Sequence, residues 1–77
     1  MKVLVFAPPA YVPENLDSNG YLELPEHATL DMVLRQMKMP RLLAKVMLAS
    51  VNGHIAPGRT ELHDGDSIGF FSGLAGG

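Results

Sequence analysis

The sequence predicts an α+β domain, a thin mixed sheet of four to five strands with one main helix packed across one face. Three observations predict it. The chain opens on a short Val-rich run, Lys2 to Ala7, that two prolines end. A single stretch, Leu30 to Met37, repeats its apolar residues at helical spacing. The second half is divided by Asn52-Gly53 and by His63-Asp64-Gly65-Asp66, pairs and clusters that favour tight turns between short strands.

Taken in order, Lys2 to Ala7 is a strand buried on at least one face. Pro8 to Asn19 is a long loop, because its three prolines supply no ladder donors and Asn15, Asp17, Ser18 and Asn19 favour turns. Gly20 to Leu24 is a second strand, with Leu22 and Leu24 directed to the interior or its edge and Pro25 closing it. Thr29 is placed to cap a helix by accepting a hydrogen bond from a free amide, and Asp31 in the first turn suits the helix dipole. Leu30, Val33, Leu34 and Met37 then form one apolar stripe, while Arg35, Gln36 and Lys38 lie off it. Pro40 breaks the pattern, and Leu42, Leu43, Val46 and Met47 are read as a shorter helical turn before the next strand. Leu48 to Val51 and His54 to Ala56 form a hairpin about Asn52-Gly53. Ser67 to Phe71 is the last strand, with Ile68 and Phe70 on one face.

Composition narrows the function. A chain of 77 residues forms one domain, and a domain of that size buries only about 60 to 65% of the surface its unfolded form exposes. Little volume remains for an enclosing cleft, so a function carried at a surface or terminus is favoured over an autonomous enzyme. With 47% hydrophobic and 18% charged residues the chain is expected to fold. A net charge of -2 with six scattered cations argues against nucleic acid. The absence of cysteine removes disulfides, thiolate zinc sites and cysteine nucleophiles. The apolar run from Val3 to Ala7 is too short for a signal-peptide core or a membrane span, so the expected location is the cytoplasm.

The chemistry is expected at the end of the sequence. Residues 1–71 read as the folded domain and residues 72–77 as a flexible tail, Ser72-Gly73-Leu74-Ala75-Gly76-Gly77, without charge and with Leu74 as its only bulky residue. Two terminal glycines can thread a narrow channel in a partner, and the α-carboxylate of Gly77 can reach a phosphorus or carbon centre unhindered. Adenylation with ATP would make that carboxylate an electrophile, and sulfur transfer would convert it to a thiocarboxylate. The catalysis would be the partner's.

In ordered combination, several segments resemble the MoaD/ThiS sulfur carriers of molybdopterin and thiamin synthesis, ubiquitin-like proteins of the β-grasp fold. They are Lys2-Val3-Leu4-Val5-Phe6-Ala7, Ala28-Thr29-Leu30, Val51-Asn52-Gly53, Leu62-His63-Asp64-Gly65-Asp66-Ser67-Ile68, and Gly69-Phe70-Phe71 leading to Ala75-Gly76-Gly77. The resemblance implies adenylation of Gly77 by an E1-like enzyme, formation of a thiocarboxylate, and delivery of sulfur when the tail enters a sulfur-accepting synthase. Gly76, Ala75, Leu74 and Gly73 would then line the partner's channel. No bound cofactor is expected, ATP being used by the activating partner, and the free chain is expected to be monomeric. Molybdopterin-type carriers usually have Pro-Pro-Val before the final glycines, where this chain has Ser72-Gly73-Leu74. The long first loop nevertheless fits molybdopterin or tungstopterin carriers better than thiamin carriers, which turn tightly after the first strand. Two other readings stand beside this one: a ubiquitin-like modifier that joins Gly77 to protein lysines, and a non-covalent β-grasp interaction module.

Alternation along the first strand sets Leu4 and Phe6 opposite to Val3 and Val5, and Phe71 shares outward parity with Gly69 on the last. Phe71, Phe6 and Leu4, with Leu74, are therefore candidates for docking partner enzymes, unless the first loop covers them. His27, His54 and His63 lack metal-ligand spacing, and no metal site is expected. Asp64 and Asp66 about Gly65 are read as turn residues rather than an acid-base pair. Met32, Met37 and Met47 are expected to fill the core.

Overall fold

A computed structural model of the chain describes residues 1–40 and 47–72. The opening run forms β1 (Lys2–Val5), two residues shorter than the composition suggests. Phe6 still donates its amide to Ile68 O at 2.9 Å. Beyond it Pro8 and Pro9, which have no amide to donate, turn the chain into a 3-10 turn, Pro9–Tyr11. β2 (Tyr21–Glu23) runs antiparallel to β1, setting Val3 against Leu22. Leu22 and Leu24 are both fully inside.

The helix α1 (Leu30–Met37) begins where expected but is capped differently. Thr29 is extended, with φ -110° and ψ 165°, and its side chain accepts no hydrogen bond from the helix. Carbonyls from the loop before β5 do that work: Leu30 N donates to Thr60 O at 2.9 Å and Asp31 N to Gly58 O at 2.8 Å. The cause lies next door. Thr29 bridges Glu61 and Leu62 N donates to Ala28 O at 2.8 Å, so residues 28–29 are pinned along residues 60–62, and backbone acceptors occupy the place of the hydroxyl. The helix ends before Pro40 is reached, at Lys38, which is left-handed with φ 55° and donates its amide to Arg35 O. Leu42, Leu43 and Val46, expected to extend the helical pattern, lie outside the described residues. Met47, placed with them, opens a strand instead.

β3 (Met47–Val51) and β4 (His54–Ile55) form the Asn-Gly hairpin. Asn52 at φ 53° and Gly53 at φ 84° are both left-handed, the requirement of a two-residue turn whose twist matches the strands. β5 (Ser67–Ser72) then enters the middle of the sheet. The strand order is β2-β1-β5-β3-β4, with β1 and β5 parallel and the other neighbours antiparallel. This is the mixed sheet with one helix that the sequence predicts.

The core collects one face of the helix and of every strand but β4: Val3 and Val5 of β1, Leu22 of β2, Leu30, Val33 and Met37 of α1, Ala49 of β3 and Ile68 of β5. Leu34 and Met32 pack against it while partly exposed. The buried stripe therefore follows the predicted spacing, and burying each of the largest side chains contributes about 1.5 to 3 kcal/mol.

Candidate functional site

The helix covers one face of the sheet, so strand alternation decides what the other face presents. Register carries that alternation across all five strands. Leu4 lies opposite Tyr21 on β2 and Ser67 on β5, Phe71 opposite Leu48, and Ser50 opposite both Gly69 and Ile55. The outer face is thus apolar over much of its width. Phe6 is 62% exposed, Ile55 60% and Phe71 53%, with Leu48 and Tyr21 also open to solvent.

Of the four residues singled out from sequence for docking, Phe6 and Phe71 are exposed, Leu4 is half-buried and Leu74 lies outside the described residues. The first loop covers Leu4. Val5 N donates to Gly20 O at 2.9 Å, and a Cβ at Gly20 would stand 3.2 Å from Leu4 Cδ1. Asp17 holds that loop: its Oδ1 accepts from Asn19 N and Tyr21 N, both at 2.9 Å, and Asp17 N donates to Tyr21 O. The amide of Tyr21, donating to the carboxylate, holds the Asp17 carboxyl below its ordinary value of 3.8. Leu48 and Ile55 were missed by sequence reasoning. The signal was present, since the Asn52-Gly53 turn fixes the hairpin register and sets both on the parity of Ser50 rather than of Ala49.

Direction matters as much as exposure. Because β1 and β5 are parallel and β3 runs against them, Phe6, Phe71 and Leu48 gather at the end of the sheet where β5 finishes. There Ser72 passes the chain to Gly73, Leu74, Ala75, Gly76 and Gly77, which lie outside the described residues. The end of the sheet that delivers the tail is therefore an apolar one.

The remaining polar residues serve the fold. His27 Nδ1 meets Glu61 Oε2 at 2.9 Å, both side chains in solvent. Asp66 accepts from His63 N and from Asn52 Nδ2, and Asp64 Oδ1 accepts from Lys2 N at 2.7 Å, so both carboxylates are turn and strand clasps about Gly65. Among the described residues no three His, Asp or Glu side chains come together as a metal-binding group. A groove of about 220 Å³ between Met1, Leu62 and the His27–Glu61 pair opens at the end of the sheet away from the tail. No described helix is long and apolar enough to cross a membrane.

Comparison with known proteins adds the following. Residues 3–77 match the model of the ThiS family. Among curated protein sequences nothing matches. Among solved structures the chain resembles that of SAMP1 from Haloferax volcanii, with a TM-score of 0.59 at 20% sequence identity, covering 99% of this chain and 97% of that one. The architecture they share is the ubiquitin-like β-grasp.

Proposed function

Because the chain belongs to the ThiS family, we propose that it carries sulfur as a thiocarboxylate on the α-carboxyl group of Gly77. Family membership and a β-grasp fold support a ubiquitin-like carrier or modifier as the kind of protein. The finer reading assigns each step to a partner. An E1-like enzyme joins the Gly77 carboxylate to the α-phosphorus of ATP, expelling pyrophosphate. Sulfide-level sulfur then displaces AMP. The tail finally enters a synthase, where Gly76, Ala75, Leu74 and Gly73 line its channel and the sulfur passes to a cofactor precursor, of molybdopterin or tungstopterin type in preference to thiamin. The chain itself acts as a co-substrate in the cytoplasm, holding no cofactor.

One observation carries the reading: Phe71, Phe6 and Leu48 are exposed at the end of the sheet where β5 finishes, at Ser72. Five residues separate Ser72 from the Gly77 carboxylate, and a fully extended segment of that length spans at most about 18 Å. An enzyme that acts on the carboxylate must therefore come within that distance of Ser72, where Phe71, Phe6 and Leu48 stand in solvent. Docking on those side chains gives affinity at a place already set by the chemistry.

Intact-mass measurement of the chain isolated from its native cells, before and after a thiol alkylator, tests the proposal. Sulfur in place of oxygen alone is ambiguous, because oxidation of any of the five methionines adds nearly the same mass. With no cysteine in the chain, an alkyl adduct mapped to Gly77 identifies the thiocarboxylate. No adduct in cells making sulfur cofactors overturns sulfur carriage, and higher-mass conjugates joined through Gly77 would assign the chain to protein modification instead.

A further inference from the structure

The chain contains two Asn-Gly pairs, Asn19-Gly20 and Asn52-Gly53. They are chemically alike. In each, the backbone nitrogen of an unhindered glycine can attack the asparagine Cγ, forming an N–Cγ bond while the Cγ–Nδ2 bond breaks and ammonia leaves. Water then opens the resulting succinimide at either carbonyl, giving aspartate or isoaspartate. No oxidant, reductant or enzyme is needed, so structure alone separates the fates of the two sites.

At Asn52 the side-chain amide is tied at both ends. Nδ2 donates to Asp66 Oδ1 at 2.9 Å, and Oδ1 accepts from Ser67 N at 3.0 Å. Asn52 N is also bound, donating to Ser67 O at 2.7 Å. For Gly53 N to approach Cγ, the amide must swing away from both partners, leaving the Ser67 amide and one oxygen of Asp66 without their acceptor and donor. At Asn19, among the described residues, the side-chain amide makes no hydrogen bond, and the residue stands exposed in the first loop. There the nucleophile Gly20 N donates to Asp17 O at 3.0 Å, a loop bond of the kind that opens readily. Asn19 N and Gly20 O are held by Asp17 Oδ1 and Val5 N, while the electrophilic side chain is left untied among the described residues.

We infer that Asn52-Gly53 is a latent modification site guarded by Asp66 and Ser67, and that Asn19-Gly20 is the open one. Conversion of Asn52 to aspartate replaces the Nδ2 donor with a carboxylate oxygen facing Asp66, so two like charges meet at hydrogen-bonding distance. Conversion to isoaspartate adds a main-chain methylene to a two-residue turn that fixes the β3–β4 register. Either product loosens the clasp at the start of β5, whereas the same change at Asn19 falls in the first loop, beside the bond from Val5 N to Gly20 O, and leaves that clasp intact.

The test measures deamidation at each site by peptide mapping after incubation of the intact chain near neutral pH. Position 19 serves as the internal reference, and the chain unfolded in urea gives the ratio set by sequence alone. The expected result is a ratio of modification at 52 to that at 19 that is lower in the native chain than in urea by about tenfold or more, the factor that about 1.4 kcal/mol corresponds to. Asp66→Ala, confirmed as folded by circular dichroism, should raise the rate at 52 by a similar factor and leave 19 unchanged. If that variant does not fold, the native-against-urea comparison decides alone. A ratio unchanged by unfolding overturns the inference, as does a folded Asp66→Ala chain that modifies Asn52 at the wild-type rate.

Discussion

Phe71→Ala is the most informative single change, because the structure divides its cost in two. A phenylalanine side chain offers about 200 Å² for burial. With Phe71 53% exposed, about 100 Å² remains for a partner to cover, worth about 2.5 kcal/mol at about 25 cal/mol per Å². Lost from an interface, that is about a 60-fold weakening. The other half is already buried in the free domain and costs about 2 kcal/mol of stability. A 77-residue chain at about 0.05 to 0.15 kcal/mol per residue holds about 4 to 12 kcal/mol, so the variant still folds at 25 °C. The assay is ATP–pyrophosphate exchange catalysed by the cognate activating enzyme, with the carrier titrated and a parallel thermal melt. KM for the carrier should rise by about 60-fold with kcat little changed, since the docking contact is the same in ground and transition states. A folded Phe71→Ala chain whose KM stays within about twofold of wild type would refute docking on this face.

Two further changes probe the scaffold beneath the site. Asp17, whose carboxyl is held below 3.8 by the Tyr21 amide, contributes stability that is present above that unfolded value and is lost as pH falls through the lower folded one. Asp17→Asn should therefore melt below wild type at neutral pH, with the gap closing in acid below about 3.8; a gap constant with pH refutes the role. At Gly58 an added Cβ would collide with the Asp31 carboxylate above the first turn of α1. Gly58→Ala is expected to cost about 1 kcal/mol in urea unfolding, as Asp31 is pushed off the helix end, and the same change made in an Asp31→Ala chain should cost little more. Additive losses would show that the two do not meet.

The strands and the helical stripe were legible because short-range patterns specify them: Leu30, Val33 and Met37 are buried at helical spacing, and Asn52-Gly53 adopts the positive φ angles its composition favours. The cap was not. Thr29 has the right residue type in the right place, but Thr60 O and Gly58 O reach the helix amides first, and their arrival depends on a bridge between segments about thirty residues apart that no local window contains. Exposure on the outer face was half legible. Parity alone assigned Leu4, Phe6 and Phe71 to it, whereas the covering of Leu4 depends on the path of a loop that Asp17 holds. Leu48 and Ile55 needed the pairing of β3 with both β4 and β5. The tail is read from its glycines alone, and residues 73–77 lie outside the described residues.

The position of β5 also bears on when during synthesis the domain can form. Among the described residues β5 lies between β1 and β3 and is what links the two hairpins in the sheet. The helix amides, moreover, await carbonyls at 58 and 60. A nascent chain halted before residue 58 therefore has a helix whose first turn lacks its acceptors, and one halted before residue 67 still holds two unjoined hairpins, so much of the loop-closure cost waits for β5. Folding is thus expected to be late and cooperative, with little stable structure on the ribosome. Phe71 shares its strand with the residues that complete the sheet, so, on the function proposed above, an enzyme that docks on it would meet the finished fold before it reached Gly77.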